Sequence, residues 1–177
     1  MSVVAASFIL SGMTDAPHTL TWEELCADPS LQDLPYRIEL NGLNQIVMSP
    51  LYFRHGYYQT EIARLLGQLL AQGKASVESA VMTSDNVKVP DVIWAPHEFI
   101  RRYFDTFALP VAPPICVEVL STSNSPGEIG QKRTLYFESG AQEVWICGVD
   151  GKMAFYAPEG SLERSALCPE FPAQIEV

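Results

Sequence analysis

Apolar and polar residues alternate along two short segments in the first third of the chain, and this pattern predicts a β-hairpin. Residues 36–40 place alternate side chains on opposite faces of a strand, and the polar face carries Arg37 and Glu39. A second run follows at 43–48, and the Asn41-Gly42 pair between the two runs is typical of a tight hairpin turn. We therefore expect two antiparallel strands joined by a short turn.

Helical spacing replaces this alternation in four other segments. Over 56–73 the apolar side chains recur at the i, i+4, i+7 and i+8 positions of one helix face, with Gly73 placed as the C-cap. The sequence Thr-Trp-Glu-Glu at 21–24 has the capping-box pattern, which predicts a helix of about six residues. Two further helices are expected around 98–104 and 128–139.

Apolar runs predict the strands of a central sheet. These runs cover 77–82, 87–94, 115–120, 144–149 and 152–156, and Pro90 makes the second one bent or close to a sheet edge. The helix at 128–139 joins two of these strands in a βαβ unit, which predicts parallel strands. From residue 56 the order is α-β-β-β-α-β. The expected class is therefore α/β of the mixed α+β kind, with a central mixed sheet flanked by helices and an N-terminal hairpin.

Composition limits the class of protein. The chain has 177 residues, 47% apolar and 18% charged, and its formal charge is −10. We expect a single domain over 20–177, preceded by a tail or peripheral strand over 1–19. This balance excludes a disordered chain, a coiled coil and a basic histone-like protein, and it argues against non-specific binding of nucleic acid or anionic membranes.

Cysteine spacing and the short apolar runs bear on location. The four cysteines include no C-x-x-C pair, and Cys116 and Cys147 lie inside apolar runs, as buried reduced cysteines do. The apolar run at 3–10 follows no basic region and is much shorter than the ~20 residues of a membrane span. We therefore expect a cytoplasmic protein that makes no contact with membranes.

Two carboxylates occupy positions where the pattern calls for apolar side chains. Glu118 lies in the middle of the apolar run 115–120, where a buried carboxylate has to be paired, protonated or bound to a metal. Asp91 alternates with Val89 and Ile93. A buried salt bridge explains Glu118 equally well, and a solvated Pro-Asp bend explains Asp91. Together, however, two acids on adjacent strands favour a hard divalent cation between them.

Three other residues have both a structural and a functional interpretation. Lys132 shares a helix stripe with Ile129 and Tyr136, so it either reaches the sheet or snorkels at the rim of the core. His55 is either a cap or surface residue or a ligand in a site. Glu39 is either a solvated carboxylate on the hairpin or a supporting acid.

A series of short motifs occurs in a fixed order over residues 20–157. They are YRIELNG at 36–42, MSP at 48–50, His55-Gly56, VPDV at 89–92, VEVLS at 117–121 with Ser123, Lys132 with Tyr136, and EVW at 143–145. This series resembles the Uma2 family, a domain family of unknown function that is common in cyanobacteria. That family belongs to the PD-(D/E)XK superfamily, whose members share a restriction-endonuclease-like core.

The resemblance implies a metal-dependent endonuclease acting on DNA. It identifies Asp91 with the Asp of the PD motif and Glu118 with the acid of (D/E)XK, and both would hold Mg²⁺ or Mn²⁺ together with the Val119 carbonyl. Leu120 stands where the standard motif has its Lys, and the family places that Lys on the following helix, here Lys132. Three more residues match supporting positions of the family: Glu39, His55 and Tyr136.

A second class of function stays open, namely a non-catalytic interaction module that retains the nuclease fold. The acidic composition favours it, because Arg101-Arg102 and Lys132-Arg133 are the only basic doublets. We also expect a homodimer, since a twofold dimer is the commonest homo-oligomer. Candidate contact residues are exposed aromatics: Tyr52, Phe53, Tyr57 and Phe107.

Overall fold

The computed structural model describes residues 19–32, 34, 36–50, 52–122 and 124–177. Residues 1–18 of the tail expected over 1–19 lie outside the described residues, and so does Ser123. The elements in chain order are α1 (Trp22–Ala27), a 3₁₀ turn (Pro29–Leu31), β1 (Tyr36–Leu40), β2 (Ile46–Pro50), α2 (Phe53–Leu69), β3 (Gly73–Val77), β4 (Val81–Thr83), β5 (Asn86–Lys88), β6 (Val92–Pro96), α3 (His97–Tyr103), β7 (Ile115–Val119), α4 (Pro126–Glu138), β8 (Glu143–Cys147), β9 (Met153–Ala157) and β10 (Gly160–Leu162).

Six of these strands form a mixed sheet in the order β10-β9-β8-β7-β6-β3. Strands β7 and β8 are parallel and the other pairs are antiparallel. The chain passes through α2, β3, β6, β7, α4 and β8, which is the expected α-β-β-β-α-β order with the small β4–β5 hairpin and α3 inserted. The predicted mixed sheet flanked by helices is therefore confirmed.

The two main helices cover opposite faces of the sheet. Alternate residues of β7 point to opposite faces. Val117 and Val119 pack in one apolar cluster with Ile62 and Leu66 of α2. Cys116 packs on the other side in a second cluster with Tyr136 of α4. All residues of β7 and β8 are buried, as expected for strands covered on both faces.

The first predicted strand of the sheet is displaced in the structure. We expected it at 77–82, but β3 covers Gly73–Val77 and the next strand begins only at Val81. Gly73, predicted as a helix C-cap, instead starts β3 against β6. A Cβ at Gly73 would clash with the carbonyl oxygen of Ala95, so this close approach of two strands requires glycine.

The run predicted as one strand over 87–94 is split into β5 and β6, and Pro90 lies in the break. Strand β6 lies between β7 and the edge strand β3, so the run is both interrupted at Pro90 and close to a sheet edge, as expected. Proline has no N–H to contribute to a ladder, and the chain meets this constraint by interrupting the strand. The break places Asp91 directly before β6.

The predicted N-terminal hairpin is present, but its turn is longer than expected. Strand β1 pairs antiparallel with β2, and Leu40 faces Ile46, so the loop covers 41–45. The side-chain oxygen of Asn41 accepts hydrogen bonds from the backbone N–H groups of Leu43 and Gln45 at 3.0 and 2.9 Å. An Asn side chain thus organises a wider loop than the tight turn that the Asn-Gly pair predicts.

A buried carboxylate outside the candidate site anchors the C-terminal segment. Glu143, the first residue of β8, is 2% exposed. It accepts hydrogen bonds from Trp145 Nε1 and Ser165 Oγ, and from the backbone N–H groups of Ala166 and Leu167, all at 2.7–2.8 Å. Four donors satisfy this acid, so its role is structural.

Two further findings concern the surface of the described residues. None of the helices there is long and apolar enough to span a lipid bilayer. Three of the aromatics proposed as dimer contacts are exposed: Tyr52, Phe53 and Phe107. Tyr57 is half-buried and its hydroxyl donates to the carbonyl of Glu176, so it was wrongly assigned to an exposed patch.

Candidate active site

Asp91 and Glu118 lie at the same end of the adjacent strands β6 and β7. The pairs Val92–Val117 and Ile93–Cys116 define the register. Continued by one residue, that register places Asp91 opposite Glu118. Asp91 is 0% exposed and Glu118 is 3% exposed. Two buried acids of this kind require hydrogen-bond donors or cations nearby.

Pro90 changes the hydrogen bonding at the end of this strand pair. The continued register places it opposite Val119, where an ordinary residue would exchange two hydrogen bonds with its partner. Proline cannot donate to the Val119 carbonyl. The Val119 N–H donates instead to Asp91 Oδ2 at 2.6 Å. Because the N–H and C=O of one strand residue point the same way, the Val119 carbonyl also faces the Asp91 side.

The other carboxylate oxygen of Asp91 contacts side chains from β1 and α2. The guanidinium of Arg37 forms an ion pair with Asp91 Oδ1. His55 Nε2 lies 2.8 Å from the same oxygen. The amide of Gln59, one helical turn after His55, donates to the Asp91 backbone carbonyl at 3.2 Å. Asp91 is therefore the point where the hairpin, α2 and the central sheet meet.

Glu118 is bound by two side chains of α4. The Tyr136 hydroxyl donates to Glu118 Oε1 at 2.6 Å, and Lys132 Nζ lies 3.3 Å from Oε2. Lys132 also forms a 2.7 Å ion pair with Glu39 of β1, and Glu39 accepts from the Val89 N–H at 3.2 Å. Lys132 and Tyr136 are four residues apart, so they share the helix face that covers the sheet.

The side chains of this cluster carry a net negative formal charge. It contains three carboxylates, Glu39, Asp91 and Glu118, and two cationic side chains, Arg37 and Lys132. Burial acts to lower the pKa of Lys132, but attraction to Glu118 and Glu39 outweighs this effect, and the pKa is raised above its usual value. Lys132 is consequently a fixed cation and not a proton acceptor at neutral pH.

His55 is neutral at physiological pH in spite of its contact with Asp91. Burial lowers the pKa of His55 to about 4, and repulsion from Arg37 and Lys132 acts in the same direction. A neutral imidazole that contacts a carboxylate through Nε2 donates its single N–H there, which leaves Nδ1 as an acceptor. His55 therefore positions Asp91 without adding charge to the cluster.

This property of His55 predicts a pH dependence of stability for the metal-free protein. Between pH 6.5 and about 4 the unfolded chain binds a proton at His55 that the folded protein does not, so stability falls as pH falls. We expect a loss of about 2–3 kcal/mol over this interval from this group. Urea unfolding at a series of pH values measures it, and His55→Gln should remove that part of the slope. An unchanged slope in the variant would contradict the assignment.

Two other buried groups next to Glu118 stay protonated. Burial and the Glu118 charge raise the pKa of the Tyr136 hydroxyl well above its usual value, so Tyr136 acts as a hydrogen-bond donor. The same two causes raise the pKa of the Cys116 thiol. A thiol of this kind is a poor nucleophile. The charged groups of the cluster are therefore its three carboxylates, Arg37 and Lys132.

The structure brings all the sequence-predicted side chains into one cluster: Glu39, His55, Asp91, Glu118, Lys132 and Tyr136. Lys132 does not snorkel, since its ammonium contacts two carboxylates. Sequence reasoning missed Arg37 and Gln59. Arg37 shares a strand face with Glu39, and Gln59 lies four residues after His55, so side-chain periodicity could have pointed to both.

The donor set fits a hard divalent cation. Within the described parts of the chain, no group of three or more His, Cys, Asp and Glu side chains is placed to hold a metal ion. Magnesium, however, is usually held by one or two carboxylates, with water and substrate phosphate completing the shell. Asp91, Glu118 and the Val119 carbonyl offer oxygen ligands of this kind in a cluster with excess negative charge. Mg²⁺ and Mn²⁺ both suit such a site.

Comparison with known proteins agrees with this architecture. The Uma2 family, described as "Putative restriction endonuclease", matches residues 22–167. The chain is also similar to the crystal structure of "a putative nuclease belonging to DUF820" from Anabaena variabilis, with a TM-score of 0.67, 17% identity, and coverage of 88% of this chain and 94% of that chain. No curated protein is significantly similar in sequence. Because the family match spans most of the chain, this protein belongs to the Uma2 family.

Proposed function

We propose that this protein is a metal-dependent endonuclease that hydrolyses phosphodiester bonds in DNA. The observation that carries the proposal is the pair of buried acids Asp91 and Glu118 on adjacent strands, with Lys132 Nζ 3.3 Å from Glu118. The descriptions of the matching family and of the Anabaena variabilis structure, which both name a nuclease, support the same activity. Those descriptions name neither a metal ion nor DNA, and both are part of our proposal.

Asp91, Glu118 and the Val119 carbonyl would hold Mg²⁺ or Mn²⁺. When bound, such an ion polarises the phosphoryl oxygens and lowers the pKa of a water molecule. The protein keeps the two carboxylates in place through short hydrogen bonds, from the Val119 N–H to Asp91 and from the Tyr136 hydroxyl to Glu118. His55 holds the other oxygen of Asp91. Fixed ligands of this kind reduce the reorganisation that the reaction needs.

Lys132 supplies a permanent positive charge beside these acids. Attraction to Glu118 and Glu39 raises its pKa, so in this proposal the protonated lysine stabilises negative charge that develops on the phosphoryl group or orients the attacking water. Glu39 holds the ammonium from the hairpin side at 2.7 Å. The lysine therefore has one fixed position, although it comes from α4 and not from the strand that carries Glu118.

A non-catalytic interaction module is the second candidate. The formal charge of −10 favours it, because a nuclease gains affinity from a basic surface that neutralises phosphates. The internal ion pairs also satisfy most of the buried charge without a metal ion. Under this alternative the cluster around Asp91 is a structural remnant of the nuclease fold.

Cleavage assays distinguish the two candidates. We expect the wild-type protein to cut plasmid or single-stranded DNA with Mg²⁺ or Mn²⁺, and to lose activity when EDTA removes the ion. Asp91→Asn should be inactive, whereas Arg64→Met, an exposed change on the same helix as His55, should retain activity. If the wild type cuts neither substrate with either ion, the interaction module becomes the better proposal. Cleavage of RNA alone would overturn the choice of substrate only.

The assembly and location of the protein also stay proposals. We propose a homodimer in the cytoplasm, with contacts among the exposed aromatics Tyr52, Phe53 and Phe107. Light scattering at tens of micromolar protein tests the dimer.

A further inference from the structure

The cation that contacts Asp91 comes from outside the central sheet. Arg37 belongs to β1, which pairs with β2 in a separate two-stranded sheet. Its guanidinium nevertheless forms an ion pair with Asp91 Oδ1, and the two side chains are 12% and 0% exposed. In the metal-free protein, Arg37 thus neutralises the acid that the proposed function assigns to the metal.

This contact occupies the position of a metal ion that binds at Asp91 Oδ1. Asp91 Oδ2 accepts one hydrogen bond, from the Val119 N–H, whereas Oδ1 contacts His55 Nε2, Arg37 and, at 3.5 Å, Gln59 Nε2. A magnesium ion requires a carboxylate lone pair at about 2.0–2.1 Å and repels a neighbouring guanidinium. The same oxygen therefore cannot hold the ion while Arg37 stays in contact with it.

An open surface cavity lies next to Arg37, and we take it as the second position of the guanidinium. The cavity has a volume of about 380 Å³, and its lining includes Tyr36, Arg37 and Glu78. Glu78 is exposed, and its backbone N–H donates to the Asp91 carbonyl at 3.2 Å. A carboxylate beside a cavity that Arg37 already lines is a suitable partner for a displaced guanidinium.

We propose that Arg37 is a displaceable resident cation: it neutralises Asp91 in the metal-free protein and moves to the Glu78 side of the adjoining cavity when a divalent ion binds. This inference rests on the proposed function, because it takes Asp91 as a metal ligand. It makes Arg37 a positioning residue that sets metal affinity. Loss of Arg37 should tighten metal binding, although arginine removal normally weakens a nuclease.

Calorimetric titration of the full chain with Mn²⁺ tests the proposal. We expect Arg37→Met to bind Mn²⁺ about tenfold more tightly than the wild type, because the competing charge is gone. Arg64→Met removes the same charge from an exposed position and should change the affinity by less than about twofold. Without metal, Arg37→Met should melt at a lower temperature than Arg64→Met, and Mn²⁺ should restore more of its stability. Equal affinity of Arg37→Met and wild type would overturn the proposal.

A double-mutant cycle with Glu78→Gln tests the second position. This change should weaken Mn²⁺ binding in the wild type and have no effect in Arg37→Met. The same effect in both backgrounds would show that Glu78 does not receive the guanidinium. If Arg37→Met does not fold, NMR of the wild-type protein tests the proposal instead. The ¹⁵N resonances of the Arg37 guanidinium should shift when Mg²⁺ is added. Unchanged resonances at saturating Mg²⁺ would overturn the proposal.

Asp91→Asn separates this proposal from the proposed function. If Asp91→Asn abolishes Mn²⁺ binding and Arg37→Met leaves it unchanged, only the role of Arg37 fails. If Mn²⁺ binds equally well to Asp91→Asn, or binds to none of these proteins, both the metal site and the role of Arg37 fail.

Discussion

Replacing Lys132 with methionine is expected to lower the rate of DNA cleavage by about 10²–10³-fold, the usual effect of removing one group that stabilises charge in a transition state. The same change leaves Glu39 and Glu118 without their shared cation. Breaking a buried ion pair in this way destabilises a protein by about 3–5 kcal/mol. A divalent ion should recover part of this loss, because it replaces the missing positive charge.

Lys88 provides the matched control for Lys132. Its ammonium is buried as well, but it donates to the carbonyls of Leu40 and Asp85 and pairs with the Asp85 carboxylate, outside the candidate site. Lys88→Met should therefore lower stability and leave the cleavage rate of the folded protein close to the wild-type value. Urea unfolding and cleavage, both measured for the folded fraction, separate the two effects. Equal cleavage by Lys132→Met and wild type would refute the role of Lys132.

The sequence predicts the core of this fold well because the strongest signals are local. The apolar run 115–120, the helix pattern at 128–139 and the run 144–149 each specify one element, and the parallel βαβ connection then follows. Glu118 is conspicuous for the same reason, since a carboxylate inside a buried strand has few explanations. Burial of both strand faces is thus visible in the sequence without any knowledge of the partners.

The displaced elements depend on contacts that no local pattern encodes. Gly73 is compatible with a helix end by its type, and only the approach of the Ala95 backbone shows why β3 starts there. The split between β5 and β6 follows from Pro90, but the place of β6 in the sheet follows from its pairing with β7 and β3. Residue type alone narrows where a strand can begin or break, whereas packing against neighbouring strands determines where β3 begins and where β6 lies in the sheet.

In the site, too, local sequence signals reveal some residues, whereas others depend on contacts between distant parts of the chain. Asp91, Glu118 and Lys132 are detectable because they are charged residues at apolar positions. Arg37 lies on a strand with a polar face, where an arginine is ordinary, and its contact with Asp91 spans 54 positions of sequence. Such a contact depends on how the hairpin docks beside the sheet. Sequence reasoning therefore found the buried acids but missed the cation that pairs with one of them.

Glu118→Gln is expected to reduce cleavage by about 10²–10³-fold and to weaken Mn²⁺ binding at least tenfold, because it removes one of the two proposed anionic ligands while keeping the shape of the side chain. The Tyr136 hydroxyl can still donate to the amide oxygen, so the fold should persist. We expect a stability loss of about 1–3 kcal/mol from the altered hydrogen bonds. Mn²⁺ should stabilise the wild type by about 2.7 kcal/mol at a hundred times its dissociation constant, and Glu118→Gln by much less.

Glu143→Gln is the control that makes this result specific. Glu143 is also a buried strand carboxylate with short hydrogen bonds, but its donors come from Trp145 and the 165–167 segment, and no cation pairs with it among the described residues. Its replacement should lower stability and leave the Mn²⁺-induced rise in melting temperature intact. Thermal melts of the three proteins with and without Mn²⁺ provide the comparison. If Glu118→Gln gains as much stability from Mn²⁺ as Glu143→Gln does, then Glu118 is a structural acid, and the ion pair with Lys132 is the whole explanation for its burial.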